Sequence, residues 1–247
     1  MIIEVSVIIP FYKNLNLLKR SINSVLKQTY KKYEIIVIFD NYKKDKFFKL
    51  KKLTNKIKNY KIKIIYNKKN CGAGVSRNRG IAISKGKFIA FLDSDDTWHK
   101  DKLITQIKLM KKNNYLASHT SYNIIDKNNR KLGFREAKKL EYKQLLRSCD
   151  IGLSTVMIKK SLLKKNFFAK TKTKEDYILW LKLSKKGVIF FALKETLTSW
   201  RKLNDSLSSS VIRKLIDGYY VYRVFLKQSI VKSFLSLFIL SFNYIKK

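Results

Sequence analysis

Phe88-Ile-Ala-Phe-Leu-Asp-Ser-Asp-Asp-Thr-Trp98 decides how the rest of the chain is read. An apolar, aromatic run from Phe88 to Leu92, preceded by Gly86, ends in three carboxylates: Asp93, Asp95 and Asp96. A run this short and apolar reads as a buried strand. In open α/β sheets, ligands bind beyond the carboxyl ends of the strands. Three acids at such an end repel one another unless something positive joins them. A hard divalent cation with a phosphate-bearing substrate meets that need. The plainer alternative is a strand-to-helix turn with one Asp as a helix cap. It uses one acid and leaves two unexplained.

Upstream, Glu4 to Tyr12 reads as a strand ending at Pro10. Leu15 to Gln28 carries Leu15, Leu18, Ile22, Val25 and Leu26 at helical spacing, so one face packs on the sheet. Glu34 to Phe39 is a second apolar strand with Asp40 at its end. Lys46 to Asn59 reads as a Lys-coated helix with Phe47, Leu50, Leu53 and Ile57 inward, and Lys63 to Tyr66 as a third strand. Then comes Asn70-Cys-Gly-Ala-Gly-Val-Ser-Arg-Asn-Arg-Gly80. Its glycines, Gly74 among them, let backbone approach a ligand. A helix starting there aims free N–H groups at an anion. Arg77 and Arg79 strengthen a phosphate reading, although a plain glycine turn fits the same residues. Four alternations of strand and helix predict an α/β fold, a mostly parallel sheet with helices on both faces. Asp40, the glycine–arginine turn and the three acids then fall along one sheet edge.

Downstream, Lys102 to Met110 is an amphipathic helix, Tyr115 to Ile125 a strand and Asp126 to Arg130 a turn. Leu140 to Leu146 reads as helix and Thr155 to Ile158 as a short strand. Lys174 to Leu183 opens a helix with Glu175 and Asp176 in its first turn, where acids also suit the helix dipole. Val188 to Leu193 is an apolar run, and Ser199 to Ser208 reads as a polar loop holding Arg201.

The 247 residues suit one large domain or one domain with an appendage, and 45% hydrophobic content excludes global disorder. The 55 basic residues outnumber 17 acidic ones, for a net charge of +38, and only nine of the basic residues are Arg. Such a surface is drawn to anionic lipid or nucleic acid. The diffuse Lys excess, with acids gathered at strand ends, argues against a specific nucleic-acid partner. Cys71, Cys149, His99 and His119 show no zinc-ligand spacing. Glu4 interrupts the first apolar run, so it does not read as a signal peptide and the setting is cytoplasmic.

With these residues in view, the chain resembles glycosyltransferase family 2, the GT-A fold enzymes that use nucleotide sugars. "VSVIIPFYK", "EIIVIFD", "GAGVSRNRGIAISKGKFIAFLDSDD", "KEDYILWLKL" and "SWRKLNDSLS" occur in the family's order across most of residues 4–208. The resemblance implies that Asp40 hydrogen-bonds the nucleobase and that Pro10, Phe11 and Tyr12 line the nucleotide pocket, with Gly74 beside it. It places Arg77 near the diphosphate. "DSDD" supplies a DxD element, with Asp95 the metal ligand for Mn²⁺ or Mg²⁺ and Asp93 or Asp96 helping. Asp176 falls on the catalytic base. Arg201 and the serines after it resemble a late loop that closes over the diphosphate. One departure touches nucleotide preference: the second strand ends Phe39-Asp40-Asn41-Tyr42, where many members have two acids followed by Gly-Ser.

The implied activity is inverting transfer of a sugar from a nucleoside-diphosphate sugar, UDP-linked by preference, to a glycan or lipid-linked glycan in surface-polysaccharide synthesis. An inactive member serving in an assembly and a nucleotidyltransferase are the alternatives. The latter needs a Gly- and Lys/Arg-rich triphosphate loop, and only Lys13-Asn14-Leu15 follows Tyr12. The expected organisation is a GT-A domain over 1–208, with a nucleotide-sugar half over 1–97 and an acceptor half over 98–208, then a helical tail over 209–247. Ser210 to Lys227 reads as one helix of that tail. The uncharged run from Ser233 to Ile245 makes about 20 Å of helix. A span needs ~30 Å. The tail therefore reads as a helix lying on an anionic membrane surface at the inner face of the plasma membrane, or packed on protein.

Overall fold

The computed structural model describes residues 2–41, 43–56, 62–165, 167–203 and 211–245. Four apolar strands form its centre: β1 (Val5–Phe11), β2 (Tyr33–Phe39), β3 (Ile62–Tyr66) and β4 (Phe88–Phe91). They lie side by side in the order β3-β2-β1-β4, all parallel, as the alternation with helices predicts. Their connections are α1 (Leu15–Leu26), α2 (Lys44–Lys56) and α3 (Ala73–Ile83). A parallel pair requires such a crossover. Ile57, expected on the inward face of α2, lies outside the described residues.

The second half of the sheet is mixed. It comprises β5 (Thr97–Trp98), β6 (Ala117–Ile125), β7 (Lys131–Arg135), β8 (Met157–Lys159) and β9 (Phe190–Arg201). The order continues β4-β8-β6-β9-β5, with β7 beside β6. β8 pairs antiparallel with both β4 and β6, β5 antiparallel with β9, and β6 parallel with β9. The parallel rule thus ends at β8. Three connecting helices are α4 (Lys102–Lys112), α5 (Tyr142–Leu145) and α6 (Glu175–Lys185). The stretch read as a loop from Ser199 is strand as far as Arg201, because Ser199 and Thr198 pair with Thr97 and Trp98. Residues 204–210, the expected late loop, lie outside the described residues.

Side chains of β1 alternate between two cores, as a pleated strand with both faces covered requires. Val5, Val7 and Ile9 pack with Leu18 and Ile22 of α1 and Leu103 and Ile107 of α4. Ile8 faces the other core, with Trp180 and Tyr177 of α6. The tail enters this second core: α7 (Val211–Tyr220) runs into a wide π turn, Val221–Phe225, and α8 (Ile230–Ile245) follows. Val221, Tyr222 and Leu240 are buried there.

One polar group ties the three central strands. Glu34 of β2 is buried; it accepts from Ser6 Oγ of β1 at 2.7 Å, Lys63 Nζ of β3 at 2.7 Å and the Lys85 N–H at 2.6 Å. Burial opposes its charge, but Lys63, the Lys85 N–H and Ser6 together hold its pKa below the ordinary carboxylate value. A folded-state pKa below the unfolded one gives stability that is complete above about pH 4.3 and is lost as pH falls through the folded value. Glu34→Gln should therefore lower the urea midpoint at pH 7 and reduce the gap between wild type and variant as acidification approaches pH 3. A gap independent of pH would show that the charge of Glu34 contributes nothing.

Candidate active site

The carboxyl ends of β2, β3 and β4 meet at one edge, and each ends in a residue that binds its neighbours. Asp40, after β2, accepts from Asn67 Nδ2, the Cys71 N–H and the Gly72 N–H, each at 2.8 Å. Asp40 thereby holds the turn that starts α3, where Gly72 adopts φ 86°. A carboxylate offers about four acceptor positions, so one remains after these three bonds. Asn67 also donates to Ser76 Oγ and accepts from Arg79, joining β3 to α3. Asn67 was not singled out from sequence, although its place just beyond a strand end was the available signal. Of the three residues expected to line a nucleotide pocket, Phe11 is buried against Phe39 in the core, whereas Pro10 and Tyr12 keep exposed surface.

Gly74 and Arg77, both in the first turns of α3, face the segment leading into α6. A Cβ on Gly74 would lie 2.7 Å from the Ala169 carbonyl and 3.3 Å from Glu175 Cγ, so only glycine permits this approach. The approach brings Arg77, 4% exposed, between two acids. Its Nη1 donates to Glu175 Oε1 and its Nη2 to Asp93 Oδ1, both at 2.7 Å. The guanidinium lies 5.4 Å from the Phe168 ring centroid, and its buried Nε has no hydrogen-bond partner among the described residues. Burial alone would lower its pKa; Asp93 and Glu175 outweigh that and raise it. Arg77, expected beside a diphosphate, is thus already committed through both Nη atoms to the protein's own carboxylates.

This bridge joins residues 82 positions apart in sequence. Asp93 lies just beyond β4, and Glu175 opens α6 next to Asp176. Asp176 is partly exposed, and its Oδ1 accepts from the Tyr177 N–H at 2.7 Å. Burial raises its pKa above the ordinary Asp value; Arg77, the Tyr177 N–H and Lys174 oppose the rise, and the charge of Asp93 adds to it. Glu175 is raised by burial and by Asp176, against Arg77. It reads from sequence as a helix-dipole acid, and tertiary structure makes it half of the bridge.

The acids of the DSDD turn divide by environment. Asp96, expected to help hold a metal, is 1% exposed, with Oδ2 accepting from Ser154 Oγ at 2.6 Å and Oδ1 from the Arg201 N–H at 2.8 Å. Each oxygen of Asp96 thus accepts a hydrogen bond from the protein's own donors. Asp93 and Asp95 keep partly exposed side chains. Asp95 is pushed up to about 6 by burial first and then by the charge of Asp93, against Arg201 and Arg77. Burial and the Asp93 charge thus both work against its ionised form. Hard oxygen donors of this kind fit a divalent cation such as Mn²⁺ or Mg²⁺. Among the described residues no three acids or histidines already converge as a metal cluster.

Ser154 and Arg201 fix the turn from the other half of the sheet. Ser154 Oγ also accepts the Asp93 N–H at 3.0 Å, and the Ser154 carbonyl accepts from Trp98 Nε1 at 2.8 Å. Arg201, 2% exposed, donates from Nε to the Asp95 carbonyl at 3.0 Å, from Nη1 to the Asp126 carbonyl at 2.5 Å and from Nη2 to Asn129 Oδ1 at 2.7 Å. It is a strand-end staple, set where β9 meets the turn. Ser154 carries no local signal in sequence, since its partners lie about sixty residues earlier.

Residues 6–171 match the family model described as Glycosyl transferase family 2. The chain belongs to glycosyl transferase family 2. It is 32% identical over 221 residues to the putative teichuronic acid biosynthesis glycosyltransferase TuaG of Bacillus subtilis, covering 89% of this chain and 87% of TuaG. It is 39% identical over 181 residues to the Escherichia coli UDP-Glc:alpha-D-GlcNAc-diphosphoundecaprenol beta-1,3-glucosyltransferase WfgD, covering 73% of this chain and 70% of WfgD. An uncharacterized glycosyltransferase of Rickettsia felis is 38% identical over 192 residues, and there the match spans 75% of this chain but only 31% of the relative. S. aureus TarS 1–349, solved in complex with UDP-GlcNAc, has a TM-score of 0.73 at 20% identity, over 95% of this chain and 70% of that one. At that identity the likeness is one of fold, and the fold is GT-A.

Arg77→Met removes the bridge and leaves the buried Glu175 and the partly exposed Asp93 without their partner, which should cost at most about 3–5 kcal/mol of stability. In a Glu175→Gln background the same change should cost less, with a coupling of about 0.5–3 kcal/mol in urea titrations. Additive losses would show that Arg77 and Glu175 do not act as a pair.

Proposed function

We propose that the chain is a metal-dependent, inverting transferase. It moves a sugar from a nucleoside-diphosphate sugar, UDP-linked by preference, to a hydroxyl of a surface glycan carried on a lipid diphosphate. The observation that carries this reading is the Asp93–Arg77–Glu175 bridge. It sets the partly exposed acidic turn of Asp93 and Asp95 beside a partly exposed aspartate at the start of a helix. Family membership supports the reaction class, and the names of WfgD and TuaG support a polysaccharide product. The Mn²⁺ and GDP-Man in the related fold of the Pyrobaculum calidifontis mannosyltransferase support a cation and a diphosphate donor. The setting proposed is the cytoplasmic face of a membrane, to which the chain associates peripherally.

Each residue has a task in this scheme. Pro10 and Tyr12 flank the nucleoside, and the acceptor position left on Asp40 faces a nucleobase N–H. Gly74 keeps the wall of the cleft thin. Asp95, with Asp93, would hold Mn²⁺ or Mg²⁺, and the cation when bound supplies electrostatic stabilisation of the diphosphate leaving group. Arg77 orients Asp93 and Glu175 and lends positive charge to the cleft. Asp96 and Arg201 keep the turn in place. Asp176 accepts the proton of the acceptor hydroxyl as that oxygen attacks the anomeric carbon opposite the leaving group. The bond to the diphosphate breaks as the new glycosidic bond forms, so no covalent enzyme intermediate is required.

Asp176→Asn should keep nucleoside-diphosphate binding and lose turnover by about 10²–10⁴-fold, the usual contribution of a general base. In the wild type the acid limb of kcat/KM should lie above the roughly 3.9 of a free Asp, because burial raises Asp176 and only its deprotonated form works. A variant that turns over normally would remove the assignment.

A thermal-shift series with UDP, GDP and other nucleoside diphosphates, with and without Mn²⁺, tests the donor half. A ligand that binds only the folded chain raises its melting temperature by mass action. A Mn²⁺-dependent shift with UDP that Asp95→Ala abolishes is expected. No shift with any diphosphate in the wild type would sink the reading.

A further inference from the structure

The C-terminal helices turn the wrong side outward for a helix pair packed only on its own protein. Ser233 of α8 is fully buried and donates from Oγ to the Ser229 carbonyl, and Ser236 donates to Gln228 Oε1. The same helix exposes Val231 at 79%, Phe238 at 68%, and Phe234, Leu235 and Phe242 at about half or more. α7 adds Ile212 at 72% and Ile216 at 62%. Eleven of the nineteen large apolar side chains exposed among the described residues fall within 211–245. A contiguous apolar face of this kind marks an interaction surface.

Charge selects the occupant. Residues 211–245 hold five basic side chains, Arg213, Lys214, Arg223, Lys227 and Lys232, against one acid, Asp217. Asp217 faces inward and accepts from Thr173 Oγ1. A second copy of a chain with net charge +38 would be repelled from such a face. An anionic bilayer complements both its apolar surface and its cations. No described helix is long and apolar enough to cross a membrane, so the helices would lie along the interface.

The inner side of the pair holds the segment that carries the candidate base. Thr173 bonds Asp217 of α7, three residues before Asp176. The Tyr177 hydroxyl, next to Asp176, donates to the Leu145 carbonyl at 2.6 Å and lies 3.1 Å from the Tyr222 hydroxyl, which donates to the Leu146 carbonyl at 2.8 Å. A Cβ on Gly218 would lie 2.8 Å from Leu237 Cδ1, so α7 and α8 approach closely there.

We infer that the outer face of α7 and α8 beds into an anionic lipid surface, and that the bonds on its inner face set the start of α6 at a fixed place relative to that surface. This rests on the proposed transfer to a lipid-borne acceptor: it names the lipid surface as the partner that brings the acceptor to Asp176.

The test uses the full chain with vesicles of phosphatidylcholine alone and of phosphatidylcholine with phosphatidylglycerol. Phe234→Ser with Phe238→Ser removes apolar surface without changing charge. Wild type should sediment with the anionic vesicles and less so with neutral ones. The double variant should partition about tenfold more weakly or worse, while keeping the wild-type melting temperature and any UDP-induced shift. Equal partition of wild type and variant would overturn the inference, because diffuse charge alone would then explain binding. So would a wild-type dimer by light scattering that the variant converts to monomer, since a second copy would then cover the face. The UDP shift reads the donor site separately: vesicle binding without it would sink the transferase reading and leave the lipid surface standing.

Discussion

The guanidinium of Arg77, clamped between Asp93 and Glu175, is the contact on which the candidate site depends. It joins the end of a central strand to the start of a helix that follows only after four more strands. Unpaired, Arg77 and Glu175 would each be a buried charge at a cost of several kcal/mol, whereas Asp93 keeps some solvent. Paired, they hold the acidic turn and Asp176 against each other. Gly74 permits the closeness, because any side chain there would collide with the Ala169 carbonyl. Backbone, charge and packing are satisfied together or not at all.

A second polar system fixes the same turn from its far side. Asp96 accepts from Ser154 and from the Arg201 backbone, and the Arg201 side chain reaches the Asp95 and Asp126 carbonyls. These bonds use up Asp96 and most of the donors of Arg201. What remains open is the pair Asp93 and Asp95, whose mutual repulsion is only partly offset by Arg77 and Arg201. Fixed from both sides, the turn holds Asp93 and Asp95 in place with their side chains partly exposed.

The two faces of the tail are assigned by tertiary structure. Ser233 of α8 is buried against the protein and Ser236 half-buried, whereas Phe234, Phe238 and Phe242 face out. The inward side can be polar because Ser233 bonds its own preceding turn and Ser236 meets Gln228.

The sequence by itself determined the parallel half of the fold. β1 to β4 are mostly apolar with no strict polar alternation, which marks strands covered on both faces, and the helices between them leave few other topologies. It also put Asp40, Asp93 and Asp95 at strand ends and Asp176 in the first turn of a helix, which is where they lie. Only tertiary structure decided which of these groups are spent on the scaffold. Arg77, Arg201 and Asp96 look like ligand-binding residues in isolation, but their partners lie roughly 16 to 105 positions away. Ser154 could not be singled out for the same reason, and Glu175 reads only as a helix-dipole acid until Arg77 is seen beside it. Whether a polar side chain serves the protein or a ligand depends on what faces it, and that is a property of the folded chain.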